Sequence, residues 1–289
     1  MTRRAFLASG AAALAAAPVR ADVSRSIAII DWALLETALA LGIVPAAASE
    51  LMQYRNLVVE PEVPDTVVAD LGLRGSPNFE MLRQVEPDLI VISQFYDYQR
   101  PQLERIAPVL SLPVYDAGTP PYALVEDSTL KLGEALGIAE KARAYVTDTA
   151  REIALRRTAL TSHRARPVFI INLGDSRHFR AFGGDSMFGD VLGRLGMENA
   201  WSDTTSYSAA APVGIEALAR VPDAGIVIVD PSPPEVARGL PRNAIWNALP
   251  AVREGRVATI APVSHFGGLP SARRFARLTE SAMSQWPVA

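Results

Sequence analysis

The stretch Gly72–Ser93, GLRGSPNFEMLRQVEPDLIVIS, holds a turn, a helix start, a helix stop and a buried strand in one short span. Ser76-Pro77-Asn78 has the chemistry of a helix N-terminus: side chains that can accept the first free amides, and a proline suited to the first turn. Phe79, Leu82 and Val85 recur at helical spacing, which predicts a helix beginning near Asn78 with one apolar stripe. Pro87-Asp88 ends it. The apolar run DLIVIS (Asp88–Ser93) then predicts a strand buried on both faces, as in a parallel sheet covered by helices. Helix–turn–strand units of this kind build open α/β sheets, whose ligands meet the loops at the strand ends. Arg74 lies in such a loop, and from local pattern it is either a solvated charge or a ligand contact. Glu80 sits in the first helical turn on the outer face, where an acid suits the helix dipole.

Outward from this unit the same alternation continues. Ser26–Trp32 (SIAIIDW) predicts a strand, and Ala33–Ala48 a helix closed by Gly42 followed by a short strand. Val59–Gly72 is a proline-punctuated loop leading to another short strand. Gln102–Leu110 (QLERIAPVL) predicts a helix and Pro113–Gly118 (PVYDAG) a last short strand. Strand signal is then absent from Ala123 to about Ser162. Tyr122–Gly137 predicts one helix, and Ile138–His163 holds a longer one of some 24 residues, about 36 Å. Ala142, Tyr145, Val146, Thr149 and Ile153 fall on one of its faces. The α/β pattern restarts with a strand in Pro167–Gly174 and a helix in Ser186–Met197. It continues with helix–turn–strand units in Gly214–Asp230 and Ala244–Ile260, and a closing helix in Pro270–Gln285.

Phe79–Ser93 and Ile215–Asp230 also correspond: each reads acid, Leu two residues on, Val, Asp, then an Ile/Val-rich strand. The expected architecture is therefore α/β, with two similar lobes joined by a single long rigid helix and a ligand cleft between them. The expected divisions are an N-terminal lobe over 22–121, a helical connector over 122–165 and a C-terminal lobe over 166–289.

Composition bounds the chemistry. The 289 residues are 49% hydrophobic and 20% charged, with a net charge of −3, which argues against a nucleic-acid partner. There is no Cys, hence no disulfide, thiolate metal site or cysteine nucleophile. The three His residues are far apart and lack metal-ligand spacing. His163 ends the long helix, His178 reads as structural, and His265 is the one placed near the cleft. No G-x-S-x-G elbow and no GxGxxG motif supports catalysis or nucleotide binding. Asp175 and Asp185 in a glycine-rich run read as turn residues. At the N-terminus, MTRRAFLASGAAALAAAPVRA combines Arg3-Arg4, a short apolar region and a small-residue cleavage site, an export signal of twin-arginine type over 1–21. Its apolar run is too short to span a bilayer.

The motifs LGIVP, GLRxxPNxE and the run from Asp175 to Trp201 (DSRHFRAFGGDSMFGDVLGRLGMENAW) occur in order along the chain with ERIAPV and IWNALPAVREGRV. In these the sequence resembles the periplasmic substrate-binding proteins of ABC importers whose two lobes are joined by one rigid helix, and most of all their ferric hydroxamate-binding members. The resemblance implies a monomeric, periplasmic non-enzyme without a cofactor. It would capture a ferric hydroxamate siderophore and deliver it to an inner-membrane ABC permease with its ATPase. The siderophore itself coordinates the iron, so the protein needs donors and apolar walls rather than metal ligands. The resemblance places hydroxamate contacts on Arg74 and Tyr96, with Tyr98 as the alternative tyrosine. It places permease docking on Glu80 and Glu216. Where pocket tryptophans stand in the family, this chain has Leu57 and Ser208, with Tyr207 beside the latter, and SHFGG leaves His265 and Phe266 in the last lobe. A less aromatic pocket is the expectation, which leaves the siderophore open. A cobalamin- or haem-binding protein of the same class is the alternative, with Tyr96, Tyr98 or His265 as a haem ligand. A periplasmic siderophore-processing enzyme has less support.

Overall fold

The strand predicted from DLIVIS is β4, Leu89–Ser93, and all of it is buried. Its alternate residues enter different cores: Leu89 and Val91 on one face of the sheet, Ile90 and Ile92 on the other. That explains the continuous apolar run, because a strand covered on both faces has no solvent side. The computed structural model describes residues 25–64, 68–206 and 209–287; the expected export signal lies outside the described residues, as do Tyr207 and Ser208.

The N-terminal sheet is wholly parallel. It contains β1 (Ile27–Ile29), β2 (Ala47–Ala48), β3 (Ala69–Asp70), β4 and β5 (Val109–Leu112) in the order β3-β2-β1-β4-β5. Helices α1 (Trp32–Ala40), α2 (Leu51–Leu57), α3 (Phe79–Val85) and α4 (Arg100–Leu103) connect them. Helix α3 begins as its sequence predicts, with the Asn78 side chain accepting from the Glu80 and Met81 amides. β5 departs from expectation. The strand is Val109–Leu112 rather than Pro113–Gly118, and the preceding helix stops at Leu103. Pro108 explains both shifts: it biases Ala107 away from helical geometry and releases Val109 to pair with Ile90.

Two helices follow, α5 (Tyr122–Ala135) and α6 (Ala139–Ala159). Helix α6 is the expected long one. Ala142, Thr149 and Ile153 are buried, with Tyr145 and Val146 packed beside them. It ends earlier than expected, and His163 is buried in a 3-10 turn beyond it rather than terminating the helix itself.

The C-terminal sheet runs β10-β9-β6-β7-β8. It comprises β6 (Val168–Leu173), β7 (His178–Phe182), β8 (Ala209–Gly214), β9 (Gly225–Val229) and β10 (Val257–Ile260). Its helices are α7 (Met187–Arg194), the short α8 (Pro234–Gly239), α9 (Ala244–Ala248) and α10 (Pro250–Arg253), and α11 (Leu269–Met283). β6, β9 and β10 are parallel, whereas β7 pairs antiparallel with β6 and β8. β7 and β8 have no counterpart in the sequence reading. β7 alternates, with Phe179 and Ala181 buried and His178 and Arg180 exposed, so it lacks a buried-strand run. β8 is AAAPVG, poor in strand formers. The segment after β8 is a 3-10 helix, Ile215–Arg220, where the matching segment of the first lobe is α-helical.

The lobes share one interior. Inner-face residues of both sheets, such as Val91 and Val227, join side chains of α1, α5, α6, α7 and α11 in a continuous hydrophobic cluster. The long helix joins the lobes as expected, and α11 of the second lobe adds packing across the joint, against α1 of the first as well as against α6 and α7.

Candidate functional site

The loops at the C-terminal ends of β1, β3 and β4 meet at one edge of the N-terminal sheet, the usual ligand side of a parallel sheet. From β3 comes Arg74. Its Nε donates to Glu50 Oε2 at 2.8 Å, and its own backbone amide donates to Glu50 Oε1 at 3.1 Å. The guanidinium carbon lies 3.7 Å from the centroid of the Trp32 ring, a cation–π stack. Trp32 begins α1 and is fixed by donating Nε1–H to the Ser49 carbonyl at 3.0 Å. No hydrogen bond engages the terminal nitrogens of Arg74 among the described residues, so they remain available.

From β4 comes a 3-10 helix, Gln94–Gln99, that turns Phe95 and Tyr96 into the same cavity. Tyr96 and Tyr98 are thereby separated in role. Tyr96 lines the cavity beside Arg74. Tyr98 is 66% exposed and holds the arginine loop from behind, donating to the Gly75 carbonyl at 3.0 Å. Gln99 Nε2 donates to the Arg74 carbonyl at 3.0 Å. Burial, reinforced by the Asp31 carboxylate, pushes the Tyr96 phenol up to about 12, so it stays a protonated donor at neutral pH. Asp31 caps α1, accepting from the Ala33 and Leu34 amides and from Ser93 Oγ at 2.7 Å, and burial raises its pKa.

The second lobe supplies the facing wall through the segment after β10, Val263–Gly268, and through Arg180 of β7. Three adjoining cavities share His265. The first, about 400 Å³, is lined by Asp31, Trp32, Arg74, Phe95, Tyr96 and Phe266 among others. The second, about 230 Å³, reaches Leu57, Asn172, Arg180 and Asp230. The third, about 650 Å³, opens between Arg180, Thr204–Ser206 and β8. His265 packs on Phe266 at 4.4 Å between ring centroids and on Phe182 at 5.6 Å. Burial, with Arg180 and Arg74 adding to it, lowers its pKa to about 4, so the imidazole is neutral.

Residues 27–263 match the periplasmic binding protein family. This chain belongs to that family. The binding protein is 32% identical over 262 residues to the Escherichia coli protein named iron(3+)-hydroxamate-binding protein FhuD, spanning 91% of this chain and 88% of that one. It is 21% identical to a Bacillus subtilis Fe(3+)-citrate-binding protein, YfmC, over 81% and 72% of the two chains. In structure it is similar to a siderophore-binding protein FhuD of Vibrio cholerae solved with Fe3+-Desferal. That likeness has a TM-score of 0.85 and 25% identity, and covers 91% of this chain and all of the other. No helix among the described residues is long and apolar enough to cross a membrane.

The binding protein thus brings Arg74, Tyr96, Leu57, His265 and Phe266 to one cleft, although they lie far apart in sequence. Glu80 and Glu216 are not part of it: each is exposed in the first turn of its helix, one per lobe, without an ion pair among the described residues. Leu57 lines the cleft without a ring, as expected, while Trp32, Phe95 and Phe182 line it beside the expected Phe266. The sequence reading missed Trp32, taken as the end of a strand, and Glu50, whose left-handed backbone (φ 52°) turns it toward the arginine loop. It also missed Arg180, whose signal was the polar side of the alternation in HFRAF.

Proposed function

We propose that this binding protein captures a ferric hydroxamate siderophore in the interlobe cleft and hands it to an inner-membrane ABC permease. The observation that carries the reading is the Arg74 guanidinium, stacked on Trp32 and held by Glu50 with its terminal nitrogens free beside the Tyr96 phenol. A ferric tris-hydroxamate presents carbonyl and N–O oxygens bearing partial negative charge. A guanidinium that cannot deprotonate offers them a planar fork of donors, and a phenol held up to about 12 offers one more. The iron travels as cargo inside the chelate, while Trp32, Phe95, Phe266 and Leu57 contact its apolar exterior. The 32% identity to a hydroxamate-binding protein supports the same ligand class.

Glu80 and Glu216 serve as docking acids, one per lobe, for arginines of the permease. The export signal over 1–21 places the mature chain, a monomer, in the periplasm. The test is a fluorescence titration of the mature protein with ferrichrome, ferrioxamine, coprogen, cobalamin and haem. Saturable binding of a ferric hydroxamate, recovered unchanged, is expected. Binding of haem or cobalamin alone, or turnover of the ligand, contradicts the reading.

A further inference from the structure

We propose that Arg180 is a second cationic contact of the cleft, supplied by the C-terminal lobe, and that it gives the site a preference for ferric hydroxamates carrying a carboxylate over neutral or cationic ones. The inference rests on the siderophore reading and specifies the ligand's charge.

Arg180 lies on the exposed side of β7, between Phe179 and Ala181, which point into the core. It lines both cleft cavities on the C-terminal side, and each of these also contains His265. No carboxylate pairs with it and no hydrogen bond engages it among the described residues. Carboxylates near the same walls are occupied otherwise. Asp230 Oδ1 accepts from the Ser232 amide at 3.1 Å and from its hydroxyl at 2.9 Å, and Asp185 accepts from Thr205 and Tyr115.

The contrast with Arg74 decides the assignment. Arg74 has Glu50 as a counter-charge, so the N-terminal wall offers directed donors with little net charge. Arg180 is the unpaired cation of the opposite wall, with the Asp230 carboxylate lining the same cavity but turned to Ser232, and its field reaches His265, whose protonation it helps to suppress. A ferric tris-hydroxamate core satisfies the first wall. A free carboxylate on the same ligand matches the guanidinium fork of the second in a bidentate pair. Leaving a cation unpaired on a ligand-facing wall makes sense when the ligand brings the anion, and it repels chelates with an ammonium group.

The experiment uses one ferric tris-hydroxamate core in three charge states. Ferrioxamine B bears a terminal ammonium, its N-acetyl derivative is neutral there, and its N-succinyl derivative bears a carboxylate. The wild-type protein and the variants Arg180→Ala, Arg180→Gln and Arg180→Lys are titrated by fluorescence at low salt, with circular dichroism to verify folding. The wild type is expected to bind the succinyl form roughly three- to tenfold more tightly than the ammonium form, the sum of one attraction and one repulsion each the size of an exposed charge pair. Arg180→Ala and Arg180→Gln should bring that ratio close to one, and Arg180→Lys should retain part of it. If the wild type binds all three with equal affinity, or if the ratio is the same in all four proteins, the siderophore reading stands and the role of Arg180 is overturned. If the wild type binds none of the three, the role of Arg180 is overturned for this core, and the siderophore reading fails only if ferrichrome and coprogen do not bind either.

Discussion

At Arg74 two neighbours share one guanidinium: Glu50 takes Nε and the Trp32 ring takes a face. The geometry is set by residues of the same lobe, so a ligand need not order this side chain on arrival. That lowers the entropic cost of binding, which for a free rotamer-rich side chain is about 0.5–1.5 kcal/mol. Tyr96 differs, since its hydroxyl has no partner among the described residues and its contribution is one neutral hydrogen bond. Tyr96→Phe is therefore expected to weaken ferric hydroxamate binding by about 0.5–1.5 kcal/mol. The melting temperature should hardly change, because removing an unpartnered hydroxyl takes nothing from the core. Fluorescence titration beside a thermal melt checks both halves. A loss of several kcal/mol would mean that Tyr96 does more than donate.

Among the elements, α11 is the one whose importance exceeds what its sequence announces. Its first turn is capped from the other lobe. Glu36 of α1 is fully buried and accepts from the Gly268 amide at 2.5 Å, the Ser271 amide at 3.2 Å and Ser271 Oγ at 2.7 Å. This contact fixes the end of the His265–Phe266 segment and so the C-terminal wall of the cleft. Burial pushes the Glu36 carboxyl up to about 8 from an ordinary 4.5, against the pull of those hydrogen bonds. Between these two values the folded protein binds more protons than the unfolded chain. The stabilisation is therefore full below about 4.5 and is lost as the pH rises through 8. The wild-type melting temperature is expected to fall between pH 5 and 9 more steeply than that of Glu36→Gln, whose amide can keep the same geometry without titrating. Glu36→Ala should cost about 1–3 kcal/mol for each buried amide left unpaired. Parallel melts of the three proteins across that pH range check this; identical pH slopes in the wild type and Glu36→Gln would contradict it. These particulars also show what sequence can carry. The cap at Asn78, the double-sided strand β4 and the buried face of α6 were legible because each is written in local spacing. Glu36 and Glu50 were not, because their partners lie over two hundred and about twenty positions away, and β7 was not, because its alternating burial leaves no continuous apolar run.

For the whole molecule, the joint between the lobes is a packed core rather than a pair of extended strands. α6 crosses it, α11 spans from α1 to α7, and Glu60 of the first lobe pairs with Arg274 and Arg277 of the second. Bending this joint would break helix hydrogen bonds and open the shared interior. Small-angle scattering with and without ligand is expected to give nearly the same radius of gyration, and a large decrease on binding would contradict the rigid joint. A rigid two-lobed body also suits recognition by one acid per lobe at a fixed separation. Glu80→Arg and Glu216→Arg should leave ligand affinity of the isolated protein within a few-fold and abolish permease-dependent uptake. A tenfold loss of affinity in either would refute a purely docking role. The central claim is that the cleft holds a ferric hydroxamate through Arg74, and its most direct test is an equilibrium titration of wild type and Arg74→Ala with the best-bound chelate. The account predicts a loss of about 1.5–3 kcal/mol, one to two decades in Kd, in a protein that stays folded and loses at most a few degrees of melting temperature with the Glu50 pair and the Trp32 stack. Wild-type affinity in a folded Arg74→Ala protein would contradict it.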